Sequence, residues 1–156
     1  MRPWIVLGVV AVAGTACHSA TAPTPTQQTW NYQAGELTDG VVTCIFGAAM
    51  SLTQTSGPFT GAYQNGYMSC SGPDGASSTV VTGTVDAGTV ASSNVGFTFT
   101  NSDVTNSGEI DETTVSYTNT GTIIDNDTVM NGTATVTITL GGVSHTLTGA
   151  WTAQFQ

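Results

Sequence analysis

The segment TATVTITL, residues 133–140, alternates threonines with apolar residues without a break. Successive side chains of a β-strand point to opposite faces, so this pattern predicts a strand with one apolar and one hydroxyl-bearing face. Gly141-Gly142 follows as a two-residue hairpin signal, and Leu147, Trp151 and Phe155 then recur on one face of a second segment. The two segments therefore predict an antiparallel hairpin.

The same two-residue period continues upstream, between turn signals rich in Gly, Pro, Asn, Asp and Ser, among them Ala87-Gly88 and Asn126-Asp127. No stretch shows a sustained helical period. Further strands are predicted at residues 30–33, 42–54, 59–70, 79–86, 95–100, 113–118 and 120–125. Together with the C-terminal hairpin, they predict an all-β domain of eight or nine strands.

A short motif, Thr-Gly-x-apolar, recurs at residues 60–63, 82–85, 120–123 and 148–151, with a near copy at residues 131–134. Each glycine shares the face of the apolar residues of its strand. An inward glycine lets a strand coil sharply and lets neighbouring side chains fill the gap, as in small closed sheets. We therefore predict a single antiparallel meander that forms a closed or nearly closed up-and-down barrel, with a two-sheet β-sandwich as the alternative.

Two of the three cysteines, Cys44 and Cys70, lie within this domain and are predicted to form a disulfide. A turn at residues 56–58 that places Leu52 opposite Gly61 would leave the two cysteines one residue out of register. A β-bulge near Asn65-Gly66 would correct this and would move the apolar face of the third strand from odd to even positions. We expect Cα atoms about 5.5 Å apart on adjacent strands.

The N-terminal segment has the three parts of an export signal: the cation Arg2, an apolar run at residues 4–13, and small residues before Cys17. Its end, Gly14-Thr15-Ala16-Cys17, resembles the lipobox of bacterial lipoproteins, in which the cysteine is acylated and becomes the mature N-terminus. Gly14 stands where a lipobox usually carries Leu, so cleavage after Ala16 without acylation is the alternative.

These features predict a signal peptide at residues 1–16, a lipid-anchored tether at residues 17–28 and the β-domain at residues 29–156. The tether is expected to be flexible because it contains Pro23 and Pro25 and little apolar bulk. The predicted location is the bacterial cell envelope, with the membrane as partner through the lipid. In a Gram-negative cell, His18 after the cysteine favours the outer membrane.

Charge narrows the classes of partner. Arg2 is the only Lys or Arg, against ten Asp and Glu residues, and the formal net charge is −9. Binding to nucleic acids or to anionic lipid headgroups requires cationic side chains, so we expect neither. The acidic balance is typical of a soluble domain crowded on a surface, and a monomer is expected.

Few residues suggest catalysis. His145, the domain's single histidine, lies near the Gly141-Gly142 turn and is expected at a rim. The sequence contains no nucleophile elbow, zinc helix or phosphate loop, so we expect no cofactor and no metal. Two acidic groups, Glu109, Asp111 and Glu112 in one and Asp125 and Asp127 in the other, are expected to be solvated turn residues. The first group leaves a carboxylate-dependent extracytoplasmic hydrolase as the alternative function.

Aromatic residues occur in nearly every predicted strand and are expected to fill the barrel interior or to line a small ligand site. The strand pattern, with Trp30-Asn31-Tyr32, Thr60-Gly61-Ala62-Tyr63 and the hairpins that follow, resembles avidin-type and lipocalin-type barrels. That resemblance implies the fold but no biotin site, since the predicted domain has only two tryptophans. We predict a non-catalytic binding or structural module, with a possible small apolar or saccharide ligand. The candidate ligand-lining residues are Tyr63, Phe97, Tyr117 and Trp151.

Overall fold

A computed structural model describes residues 26–54, 58–73, 75–102, 115–125, 128–140 and 142–156. They form eight strands: β1 Thr26–Thr38, β2 Thr43–Gln54, β3 Phe59–Gly72, β4 Gly75–Ala91, β5 Asn94–Ser102, β6 Val115–Ile124, β7 Val129–Leu140 and β8 Val143–Phe155. Each strand pairs antiparallel with the next, and β1 pairs with β8. The predicted closed up-and-down barrel is therefore confirmed, and the two-sheet alternative is not adopted. These residues include no helix long and apolar enough to span a bilayer.

The C-terminal hairpin follows the predicted alternation. β7 and β8 stay in register over their whole length, from Val129 opposite Gln154 to Leu140 opposite Val143. Ala134, Val136 and Ile138 are buried, and the threonines between them are exposed. The apolar face of this hairpin is therefore part of the barrel interior.

One predicted strand boundary is wrong. Residues 113–118 and 120–125 were expected as two strands, but Val115–Ile124 is one continuous strand, β6. Asn119 is fully buried within it and accepts a hydrogen bond from the Tyr32 hydroxyl at 2.7 Å. Because the inward Asn119 amide has a hydrogen-bond partner across the barrel, the strand can continue through this position without a turn.

Among the other strands, β1 and β4 exceed their predicted lengths the most. β1 begins at Thr26 because its first residues pair with the polar end of β2, as in Thr26 opposite Gln54. Residues 26–28, predicted as tether, are therefore part of the barrel. β4 continues through Ala87-Gly88, which forms a bulge and not the predicted turn. The following turn instead lies at residues 92–93, with Ser92 in the left-handed region at φ 56°.

The disulfide and its bulge are confirmed. Cys44 lies directly opposite Cys70 and is bonded to it. The register of β2 and β3 shifts by one residue between Gly47–Tyr67 and Met50–Tyr63, with Asn65 at φ 56°. The Cα atoms are 4.1 Å apart, closer than the expected 5.5 Å. Directly opposed residues of antiparallel strands lie about 4.5 to 5.5 Å apart, so a disulfide between two such residues has a short Cα separation.

Several inward glycines lie where an added Cβ would overlap the neighbouring strand. A Cβ added to Gly83 would overlap the carbonyl oxygen of Thr100 and the Tyr63 hydroxyl, and a Cβ on Gly121 would overlap the backbone of β7. Gly121 and Gly132 lie directly opposite each other. The glycines therefore allow the sheet to curl tightly enough to close.

Replacing Gly83 with Ala should destabilise the barrel. The added methyl has no room without a shift of backbone, and overpacking of this kind costs about 1–3 kcal/mol. Gly96→Ala is the matched control, because its added methyl would meet no atom closer than 3.6 Å. Urea unfolding of both variants measures the difference. Equal midpoints would show that close strand approach at Gly83 is not required.

Candidate functional site

Aromatic rings fill the middle of the barrel. Tyr32 lies near their centre, stacked on Trp151 at 5.6 Å between ring centroids and in edge contact with Phe99 at 5.0 Å. Phe99 in turn stacks on Tyr117 at 4.3 Å and on Phe46 at 4.8 Å. The centre of the barrel is therefore occupied by the protein's own side chains.

The four candidate ligand-lining residues belong to this packed interior. Tyr63 and Phe97 are 3% and 4% exposed, and Tyr117 and Trp151 are each 1% exposed. Phe97 contacts Trp151 edge to face at 5.3 Å. All four point inward, as their strand positions suggested. Their ring contacts depend on pairings across the barrel that a strand pattern does not specify.

Two buried asparagines, Asn101 and Asn119, connect the tyrosines. Tyr63 donates to the side-chain oxygen of Asn101, whose amide nitrogen donates to the Tyr117 hydroxyl at 3.4 Å. The Asn119 amide donates to the carbonyl oxygen of Phe97 at 3.5 Å. Sequence reasoning missed both asparagines, although each shares the inward face of its strand with phenylalanine or tyrosine.

The interior shifts the pKa values of these three tyrosines. Burial raises the pKa of Tyr32, Tyr63 and Tyr117 well above that of a free tyrosine. Neighbouring phenols raise it further for Tyr32 and Tyr63, whereas the hydrogen bond from Asn101 partly offsets the increase for Tyr117. Each hydroxyl therefore remains protonated and serves as a hydrogen-bond donor.

A cavity of about 300 Å³ opens at one mouth of the barrel, where β1 begins and β2 ends. We call it the cup. Its apolar lining comes from six strands: Trp30, Leu52, Phe59, Val90, Ile123 and Met130. Gln28, Gln54 and Ser92 complete the described lining. The cup therefore combines an apolar surface with uncharged polar groups.

The floor of the cup rests on the aromatic interior. Phe59 and Phe97 are in contact, with ring centroids 5.6 Å apart. The indole nitrogen of Trp30 donates to the side-chain oxygen of Gln28 at 3.3 Å, and its ring contacts Phe155. Aromatic residues were expected to fill the barrel interior, but the sequence did not reveal that strand ends would bring Trp30 and Phe59 together around an opening.

At the opposite mouth of the barrel, His145 contacts Asp39. His145 on β8 lies with its Nδ1 2.7 Å from an Asp39 oxygen, in the turn between β1 and β2. The other Asp39 oxygen accepts hydrogen bonds from the backbone of Val41 and Val42. The Val42 hydrogen bond, followed by that of His145, holds the pKa of the Asp39 carboxyl well below its usual range. The carboxylate therefore fixes the turn and orients the rim histidine.

Of the remaining predicted site residues, only Asp125 lies within the described part of the chain. Cys17, Glu109, Asp111, Glu112 and Asp127 lie outside the described residues. Asp125 lies in the turn after β6 at φ 52°, where its carbonyl oxygen accepts hydrogen bonds from Thr128. Across the described part of the chain, no group of three His, Cys, Asp or Glu side chains is placed to hold a metal ion.

A second, more open depression of about 240 Å³ lies on the outer surface of β1, β2 and β3. Gly47 and Ala49 form its floor, because these small residues of β2 lie between longer side chains on the neighbouring strands β1 and β3. Tyr67 lies over Gly47 and is 45% exposed. Asn31, Gln33 and Asn65 complete the polar lining. The depression therefore offers an aromatic face and amides, whereas six of the nine residues that line the cup are apolar.

The fold and the cup define a class of protein: a closed, eight-stranded up-and-down barrel with an apolar opening at one mouth. Comparison with protein-family models, with curated proteins and with solved structures gave no match for this chain.

Proposed function

We propose that this chain is an exported, lipid-anchored protein of the bacterial cell envelope whose barrel is a non-catalytic binding module. The observation that carries the binding role is the cup, with its apolar lining of Trp30, Phe59, Leu52 and their neighbours. The interior below it is filled, so the proposed ligand binds at the mouth. Of the four candidate ligand-lining residues, Phe97 packs beneath the cup against Phe59, and the other three lie in the filled interior.

The lining of the cup favours an apolar ligand over a saccharide. Its six apolar side chains can remove a hydrocarbon surface from water, which contributes about 0.8 kcal/mol per buried methylene. Amide and hydroxyl groups are present at Gln28, Gln54 and Ser92, which can fix the orientation of one polar group. The ligand proposed for the cup is therefore small, with an apolar body.

The proposed module acts as a monomer. β1 pairs with β8 and closes the sheet, so each of the eight described strands has a neighbouring strand on both sides. Free edges are the main route by which β-proteins pair with other chains. Closure thus removes the need for a partner strand.

Filling the cup should abolish ligand binding. The probe is N-phenyl-1-naphthylamine, an uncharged dye that fluoresces in apolar surroundings, added to the full chain carrying Cys17→Ala so that no detergent is required. Val90→Trp adds bulk in the cup lining and should weaken dye binding at least tenfold. Val143→Trp makes the same change at the opposite mouth and should leave it unaltered. The cup would not be the binding site if Val90→Trp and Val143→Trp bound the dye equally, or if the Cys17→Ala chain without either change bound no dye.

Lipid attachment at Cys17 is testable separately. Intact-mass analysis of protein extracted from membranes should give a chain that begins at Cys17 and carries several acyl groups. A single acyl chain holds a protein on membranes only reversibly, so stable anchoring requires more than one. Cys17→Ala should move the protein from the membrane to the soluble fraction. A chain that begins at Cys17 without added mass would contradict the anchor.

A further inference from the structure

We infer that the cup faces the membrane and takes from it a small uncharged amphiphile. This inference rests on the proposed function, because it requires both the lipid anchor at Cys17 and a ligand-binding cup. It adds the orientation of the barrel and the chemical class of the ligand.

The orientation follows from where the barrel begins. Thr26, the first residue of β1, pairs with Gln54, which lines the cup. Residues 18–25 separate Cys17 from Thr26, so even a fully extended chain places the start of β1 no more than about 30 Å from the anchor. The cup is therefore at the end of the barrel that the anchor holds.

The opposite mouth, with Asp39 and His145, is much farther from the anchor. β1 has 13 residues, and a tilted strand of that length spans about 33 Å along a barrel axis. Turning this mouth to the membrane would require the extended tether to run the whole length of the barrel. The cup therefore faces the source of hydrophobic ligands.

The negative charge of the protein favours a ligand with an uncharged headgroup. No described cup residue is charged, and the chain has a formal net charge of −9 with Arg2 as its only Lys or Arg. A carboxylate or phosphate would have no cationic partner and would be repelled. An alcohol or glycerol headgroup can instead exchange hydrogen bonds with Gln28, Gln54 or Ser92.

The ligand class is tested with 1-hexanol, 1-octanol and 1-decanol, competed against the bound dye on the Cys17→Ala chain. Affinity should rise about fourfold for each added methylene until the cup is full. Decanoate at pH 8 should bind at least tenfold more weakly than 1-decanol, and Val90→Trp should remove the binding of both. Equal affinity for decanoate and 1-decanol, or no dependence on chain length, would overturn the ligand class.

The orientation is tested on the lipidated chain in nanodiscs that contain a lipid with a gadolinium-labelled headgroup. NMR signals of Ile123 and Met130, beside the cup, should broaden more than those of Val143 and His145, at the opposite mouth. Equal or reversed broadening would overturn the orientation while leaving the anchor intact. A chain that does not join the nanodisc would instead refute the anchor in the proposed function.

Discussion

Replacing Trp151 with Ala should lower the free energy of unfolding by about 3–5 kcal/mol, the range observed when a large buried aromatic is truncated. Its indole is 1% exposed, stacks on Tyr32 and meets Phe97 edge to face. Its ring nitrogen donates to the carbonyl oxygen of Thr120 at 3.3 Å. Truncation would therefore leave a cavity in the barrel interior and remove this hydrogen bond.

Urea unfolding followed by circular dichroism measures this loss. Trp151→Phe should cost less, because the phenyl ring keeps part of the stacking on Tyr32 while losing the hydrogen bond. Thr152→Ala is the control at the adjacent, exposed position of β8 and should change stability by less than about 0.5 kcal/mol. A Trp151→Ala variant as stable as the Thr152→Ala variant would show that the aromatic interior is not the main source of stability.

Local sequence pattern predicted most of the fold. The strict alternation at residues 133–140 has one interpretation, because a shift of one residue would expose Val136 and Ile138 and bury threonines. The disulfide supplied a second constraint, since pairing Cys44 with Cys70 required the bulge at Asn65-Gly66. The prediction of a closed barrel came from the inward glycines, because a glycine on an apolar face contributes little packing but allows a strand to coil.

The errors have a common cause, which is that turn residues were interpreted without their cross-strand partners. Ala87-Gly88 resembles a turn, but Gly88 provides room for the Phe59 ring on the neighbouring strand. Asn119 resembles a break between strands, but Tyr32 satisfies it across the barrel. Gly and Asn serve turns, bulges and close contacts equally well, and only tertiary contacts distinguish these uses.

The candidate site was less accessible from the sequence. Inward parity identified Tyr63, Phe97, Tyr117 and Trp151 as interior residues, but parity does not separate the middle of a barrel from its mouth. The cup depends on strand ends, as with Leu52 near the end of β2 and Met130 near the start of β7. Strand ends are the positions that a periodic pattern locates least well.

Removing the disulfide by the double change Cys44→Ala and Cys70→Ala should lower the free energy of unfolding by about 3.5 kcal/mol. The crosslink closes a loop with a sequence separation of 26, and the entropy it removes from the unfolded chain gives this value. Both cysteines are buried, at 2% and 3% exposure, so loss of the sulfur atoms would also reduce packing beside Phe46 and Met68.

The comparison that isolates the crosslink uses three forms of the full chain in urea: the parent, the double variant and Cys17→Ala. Cys17→Ala should unfold at the same urea concentration as the parent, because Cys17 precedes the barrel. Adding a thiol reductant during unfolding should shift the parent to the midpoint of the double variant but leave the double variant unchanged. Because both sulfur atoms are shielded in the folded barrel, reduction below the midpoint should be slow and limited by opening of β2 from β3. Two results together would contradict this prediction: a parent whose urea midpoint does not change with the reductant, and a double variant as stable as the parent. They would show that strand pairing alone stabilises the β2–β3 hairpin.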